Sequence, residues 1–202
     1  MRATDALADL GRIGKPVLTT EDAALRLAAT LSAASRTLRR LAQAGLILRL
    51  RHGLWSLDLE LHPLRLPEFL TSPFPAYISF QSALSLHGMI SQVPRVIYVA
   101  SLGRTRRITT LLGTYSIHRL APSFFGGYET PHPNLHLARP EKALLDTLYL
   151  APARSRLFAR LPELERPKRF NVRQARFWLA RIAPGPRRVM VERRLAKALG
   201  PS

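Results

Sequence analysis

Ser32 to Leu57, SAASRTLRRLAQAGLILRLRHGLWSL, carries two hydrophobic periods in succession, and the point where one replaces the other decides the fold. From Ser32 to Ala44, 3.6 residues per turn puts Ala34, Leu38, Leu41 and Ala42 on one face. Ser32, Arg36, Arg39, Arg40 and Gln43 fall on the other. Gly45 follows the last periodic residue, where a left-handed C′ position is most cheaply filled by glycine. The next residues alternate, Leu46, Leu48 and Leu50 on one side and Ile47, Arg49 and Arg51 on the other. His52-Gly53 supplies a turn, and Leu54-Trp55-Ser56-Leu57 returns as a second strand. Helix, glycine stop and short basic hairpin predict the end of a winged helix-turn-helix. In that geometry the helix enters a major groove and the hairpin lies against the backbone.

Three arginines on the outside of a helix are, by themselves, more often a solvated face than a binding one. Two features turn the reading toward double-stranded DNA. The outer face contains no acid to neutralise it, and the hairpin adds Arg49, Arg51 and His52. The candidate contacts are therefore Ser32, Ser35, Arg36, Arg39, Arg40 and Gln43 on the helix, with Arg49, Arg51 and His52 on the wing.

The rest of the composition agrees. Over 202 residues, 31 Lys and Arg face 13 Asp and Glu, a formal net charge of +18, and almost all the excess is arginine. Arginine pairs phosphate bidentately and reads guanine edges, so this balance points to a polyanionic partner. The charge is uneven. Residues 1–57 hold nine cations against four acids, 58–150 eight against six, and 151–202 fourteen against three. At 47% hydrophobic residues the chain can bury a core, yet no stretch reaches the ~20 apolar residues of a membrane span, so no membrane partner is expected. MRATDALADLGR carries acids and lacks the apolar run of a signal peptide, and there is no cysteine for a disulfide, thiolate or zinc site. These features place the chain in a bacterial-type cytoplasm, associated with the nucleoid.

An α+β organisation follows, in which a winged helix-turn-helix precedes a small mixed α/β domain and a basic amphipathic helical part. Residues 1–60 form the DNA-binding unit, with helices over Thr4–Leu10 and Glu21–Ala29, the latter capped by Thr20. Residues 61–75 form a connector punctuated by Pro63, Pro67, Pro73 and Pro75. Asp58, Glu60 and His62 alternate as a solvated strand edge would. Residues 76–150 hold a helix over Phe80–His87 capped by Ser79, and strands over Arg95–Ala100, Arg106–Leu112, Thr114–Leu120 and Leu135–Ala138. Pro140 then opens a helix over Glu141–Leu150, with Lys142 and Asp146 paired at i,i+4. Residues 151–202 continue in helices over Asn171–Ile182 and Pro186–Leu199, whose apolar faces predict docking. Their outward cations suit a second phosphate surface or a solubilising one.

No specific catalytic constellation is present, and neither a cofactor nor a metal is expected. There is no Walker loop, no G-x-G-x-x-G and no H-E-x-x-H. His132 and His136 have metal-like spacing, but Pro131 and Pro133 deny them a helix. Gly103-Arg104-Thr105-Arg106-Arg107 reads as a basic turn before it reads as an anion site.

The middle of the chain adds a resemblance. YISFQSALSLHGM at 77–89, RVIYVAS at 95–101, FFGG at 124–127 and LARPEKALLDTLYL at 137–150 come in order behind the G-L-I-x-R-x-x-x-G-L-W cadence of 45–55. This run resembles the AbiEi-type antitoxins, the transcription-regulator half of type IV (AbiE) toxin–antitoxin operons. The resemblance implies an autorepressor that binds operator repeats in its own promoter. It also implies a second domain that counters a cognate nucleotidyltransferase-like toxin without necessarily binding it. Glu141, Lys142 and Asp146 match the antitoxin-domain motif, and a capped, internally paired helix accounts for them without catalysis. Two other functions fit the residues, a ligand-sensing winged-helix regulator and an enzyme acting on RNA or modifying the toxin.

Overall fold

Thr30 and Gly45 bracket the helix on which the N-terminal unit is built. In the computed structural model, which describes residues 2–150, 164, 165, 167 and 170–199, helix α3 runs Leu31–Gln43, after α1 (Ala3–Gly11) and α2 (Thr20–Arg26). The Thr30 hydroxyl accepts from the Ala33 N–H at 3.3 Å, so α3 starts one residue before the expected Ser32. At its other end Gly45 takes φ 70°. The Leu46 N–H then reaches Leu41 O, and the Gly45 N–H reaches Ala42 O, a Schellman closure. Ala34, Leu38 and Leu41 are buried against Ala6, Leu10, Ala23 and Trp55.

The cap of α2 is Thr19, where Thr20 was expected. The Thr19 hydroxyl accepts from the Asp22 N–H, and the Asp22 carboxylate accepts from the Thr19 N–H. The Thr20 hydroxyl is engaged elsewhere, accepting from the Trp55 indole N–H at 3.1 Å. The helix stops at Arg26, short of Ala29, because Ala28 turns to φ 48°.

Strands β1 (Val17–Thr19), β2 (Leu48–Arg51) and β3 (Leu54–Ser56) make an antiparallel sheet in the order β1-β3-β2. β1 has no counterpart in the sequence reading; three residues are too few to show a period. Pairing slips between Arg49 and Arg51, leaving Leu50 bulged opposite the Trp55–Leu54 step. Ile47 is buried on the side of the three helices, while Leu48 and Leu50 pack on the opposite side.

The second unit is a six-stranded mixed sheet in the order β6-β7-β5-β4-β9-β8. Its strands are β4 (Ala76–Ile78), β5 (Ile97–Ser101), β6 (Arg106–Thr110), β7 (Gly113–Arg119), β8 (Tyr128–His132) and β9 (Leu135–Ala138). Pairs β5–β7 and β4–β9 are parallel, the others antiparallel. One face carries Tyr98 and Ala100 under helices α5 (Phe80–Leu86), α6 (Pro140–Leu150), α7 (Val172–Ala180) and α8 (Pro186–Leu199). The expected apolar faces of α7 and α8 dock there through Ala175, Leu179, Val191 and Leu195. The reading of the tail over 151–163 lies outside the described residues.

The other face of this sheet joins the two units. Val99, Ile108, Tyr115 and Ile117 share one core with Val17, Leu50 and Leu54 of the N-terminal sheet. The proline-punctuated segment between them contributes to it. It folds into a 3-10 turn over Pro63–Arg65 and a short helix α4 (Pro67–Thr71), and Leu61, Leu66 and Leu70 are buried in the same cluster. Asp58, Glu60 and His62 do not form a strand edge. The Asp58 carboxylate accepts from the Glu60 N–H and lies 3.6 Å from Arg65, and His62 Nδ1 accepts from the Leu64 N–H, so each closes a local turn. Among the described residues no helix is long and apolar enough to cross a membrane.

Candidate nucleic-acid interface

With Ala34, Leu38 and Leu41 facing inward, α3 turns Ser32, Arg36, Arg39, Arg40 and Gln43 to solvent. Ser35 is half-buried at the edge of that face. At 100° per residue these six positions sweep about 140° of the helix surface. The β2–β3 hairpin carries Arg49, Arg51 and His52, all exposed, with Gly53 at φ 74° completing the turn.

Helix and hairpin are not separate surfaces. Ser32, Ser35 and Arg39 from α3 and Arg49, Arg51 and His52 from the hairpin line one cleft of about 710 Å³. Arg39 folds along its own helix, donating from Nε to the Ser35 carbonyl at 3.2 Å and from Nη2 to the Ser35 hydroxyl at 3.4 Å. Its side chain lines the cleft together with those of the hairpin. Arg49 lies over the buried Trp55 ring, 5.5 Å from its centroid, which stiffens an otherwise loose side chain. Arg36, Arg40 and Gln43 lie outside the cleft lining, on the next stripe of the same helix face.

Among the described residues, none of Arg36, Arg39, Arg40, Arg49 and Arg51 has an acidic side chain within ion-pair distance. Among the described residues, the only carboxylate in the cleft lining is that of Glu21, at the start of α2. Cations left unpaired on one concave surface are suited to a run of phosphates. Sequence periodicity could not find Thr19, Thr20 and Trp55, which complete the cleft floor, or Phe69 and Leu70, which α4 contributes. Only the tertiary fold brings these residues to α3.

Glu141, Lys142 and Asp146 lie elsewhere, inside the second unit. Lys142 and Asp146 pair at i,i+4 as expected, but both are fully buried. The Lys142 ammonium donates to Asp146 Oδ1 and to the Tyr77 hydroxyl, and it sits 3.9 Å from the Phe124 ring centroid with Trp178 at 5.2 Å. Asp146 Oδ2 accepts from the Ser79 hydroxyl at 2.6 Å and from the Tyr77 hydroxyl at 3.0 Å. Burial pushes the Lys142 pKa down and that of Asp146 up, each against the attraction of its partner, and drives the Tyr77 hydroxyl well above its usual range. Ser79 sits at the N-cap of α5, but its side chain turns to Asp146 and does not cap the helix. Glu141 Oε1 accepts from the Asn171 N–H at 2.6 Å, tying α6 to the start of α7.

Gly126 and Gly127 make room for this cluster. A Cβ on Gly127 would lie 2.7 Å from Trp178 Cε2 and 2.9 Å from Lys142 Cγ. The sequence signal existed in two parts, polar residues inside the apolar run of α6 and the i,i+2 pair of Tyr77 on β4 and Ser79 just past its end. Nothing local linked them.

His132 and His136 fall on strands β8 and β9, and His136 lies 3.4 Å from Glu68 and 2.8 Å from the Thr130 hydroxyl. Among the described residues no group of three His, Cys, Asp or Glu side chains is arranged to hold a metal.

Residues 5–57 match the model of a family described as transcriptional regulator, AbiEi antitoxin. The match begins within α1 and ends just past β3, so it contains α3 and the hairpin and stops before the six-stranded sheet. No curated protein matches the chain.

Proposed function

We propose that this chain, whose residues 5–57 match the AbiEi antitoxin family model, is a DNA-binding antitoxin that represses its own operon. Its N-terminal unit acts as a winged helix-turn-helix. Arg36, Arg40 and Gln43 face base edges in a major groove, where each good bidentate contact is worth about 1–3 kcal/mol of discrimination. Ser32, Ser35 and Arg39 meet phosphates along the groove wall, and Arg49, Arg51 and His52 meet the backbone beside it. The observation that carries the reading is the shared cleft, in which α3 and hairpin cations converge with no ion-pair partner among the described residues.

The partners on this reading are the operator in the chain's own promoter and a cognate nucleotidyltransferase-like toxin, countered by the second unit without a requirement for direct binding. The protein then works on the nucleoid, in the cytoplasm. Glu141, Lys142 and Asp146, all buried, support the fold of the second unit.

A gel-shift titration with the DNA upstream of the gene tests the DNA half. Arg36→Ala/Arg40→Ala is expected to abolish specific binding with little change in thermal stability, and unaltered affinity would sink the assignment. Co-expression with the neighbouring toxin gene tests the other half, by growth. Rescue is expected from the full chain; failure of rescue would remove the antitoxin role and leave a plain regulator.

A further inference from the structure

The bulge in β2 leaves one backbone carbonyl of the wing with a partner from outside the hairpin. Arg49 pairs with Trp55 and Arg51 with Leu54, and the Leu50 carbonyl between them accepts from the Leu111 N–H at 2.8 Å. Leu111 is the first corner of the turn joining β6 to β7 in the second unit. That turn is braced from within, since the Thr110 hydroxyl accepts from the Leu112 N–H at 3.1 Å and donates to Gly113 O at 3.1 Å. The Leu50 side chain is buried in the core formed with Ile108, Tyr115 and Ile117, whereas the Leu111 side chain is 65% exposed. The contact is therefore made by the Leu111 backbone, and it falls between the two wing arginines.

We infer that the β6–β7 turn is a positioning element for the wing, holding Arg49 and Arg51 at a fixed distance from α3 through the Leu111-to-Leu50 hydrogen bond. The inference rests on the DNA reading above and extends it. A two-stranded hairpin is marginally stable by itself. β2 is an edge strand of a three-stranded sheet, so its free side is the one available to set its angle. Here the second unit occupies that side. DNA affinity is thereby coupled to the second unit, and a partner that draws the β6–β7 turn away from Leu50 releases the wing and weakens the operator complex.

The test is a pair of substitutions at one position in the full-length protein. Leu111 has a negative φ at the first corner of a turn, where proline is tolerated, so Leu111→Pro removes the N–H with little local strain. Leu111→Ala retains the N–H and serves as control. In salt titrations of operator binding, Leu111→Pro is expected to bind about tenfold more weakly, with the salt slope reduced by roughly one to two phosphates. Leu111→Ala is expected to match the parent. Should Leu111→Pro fail to fold, Thr110→Val, which removes both internal braces of the turn, is expected to lower the slope in the same direction. Parental affinity and slope in a folded Leu111→Pro or Thr110→Val overturn the positioning role while leaving the DNA reading intact. Equal weakening by Leu111→Ala overturns it as well, because the side chain would then be the contact. Absence of operator binding by the parent removes the DNA reading itself.

Discussion

Replacing Lys142 with methionine tests whether the second unit depends on its buried ion pair. The substitution retains the apolar stem that packs against Phe124 and Trp178 but removes the ammonium, and with it the bonds to Asp146 and Tyr77. Asp146 is left with the Ser79 and Tyr77 hydroxyls as donors and no cation, at 0% exposure. Breaking a buried pair on one side costs about 3–5 kcal/mol. In a chain of this size each kcal/mol moves Tm by roughly 2–4 °C, so a fall of about 10 °C is expected. The variant should also acquire a pH dependence. With its partner gone, the folded-state pKa of Asp146 stands further above the unfolded value, because burial raises it and the Lys142 attraction no longer opposes this. A raised folded pKa gives stability that is present at low pH and lost as pH rises through it, by up to about 1.4 kcal/mol per pH unit. Urea titrations between pH 5 and 7 measure both effects. Lys142→Met/Asp146→Leu should recover most of the loss, since a well-packed apolar pair often matches a buried ionic one. A single variant within about 0.5 kcal/mol of the parent, the range of an ordinary surface substitution, would refute the argument.

Three further outcomes follow from the same geometry. Arg49→Ala/Arg51→Ala should weaken binding to all DNA sequences alike and reduce the salt slope by about two, whereas relaxed specificity at constant slope would mean the wing reads bases. Residues 1–75 alone would expose Leu50, Leu54, Leu61, Leu66 and Leu70, losing on the order of 10 kcal/mol of burial. That is comparable to the stability of a whole domain, so circular dichroism should find the fragment largely unfolded. A cooperative melt like that of the parent would contradict this. His118, half-buried against Phe80 and Tyr98, has its pKa lowered to about 4 by burial. A lowered folded pKa gives stability that is complete above about 6.5 and lost as pH falls toward 4. The loss is expected to reach about 2 kcal/mol once partial exposure is allowed for. Denaturation of His118→Gln across that range should show a shallower decline, and an identical decline would assign the acid sensitivity to another group.

What the sequence made legible was whatever a local rule could reach. The amphipathic period of α3, the Gly45 stop and the His52-Gly53 turn each depend on neighbours within a few residues, and the structure has all three. β1 and β4 escaped because three residues carry no period, and β8 because Tyr128–His132 shows no alternation of buried and exposed positions. The caps of α2 and α5 went to the wrong role for a tertiary reason: Thr20 is claimed by Trp55 and Ser79 by Asp146, partners 35 and 67 residues away. The alternation along Leu46–Arg51 separates Leu46, Leu48 and Leu50 from Ile47, Arg49 and Arg51. Ile47 and Leu50 do lie on opposite sides as that alternation places them, but both are buried, because a second unit covers the face a free hairpin would show to water. In the same way the nine candidate contacts were visible as residue types, and the gathering of six of them around one cleft was not.

The shared core between the units also sets a schedule. During synthesis the N-terminal helices and hairpin leave the ribosome first, but Leu50 and Leu54 have nothing to bury against until the strands that carry Ile108, Tyr115 and Ile117 follow. At about 5–20 residues per second the interval from Leu50 to Ile117 is roughly 3–13 s. Throughout it the growing chain presents a leucine-rich strand face beside an arginine-rich helix. The unit that resembles a free-standing module is thus born incomplete, and it is finished by a segment encoded well downstream of it.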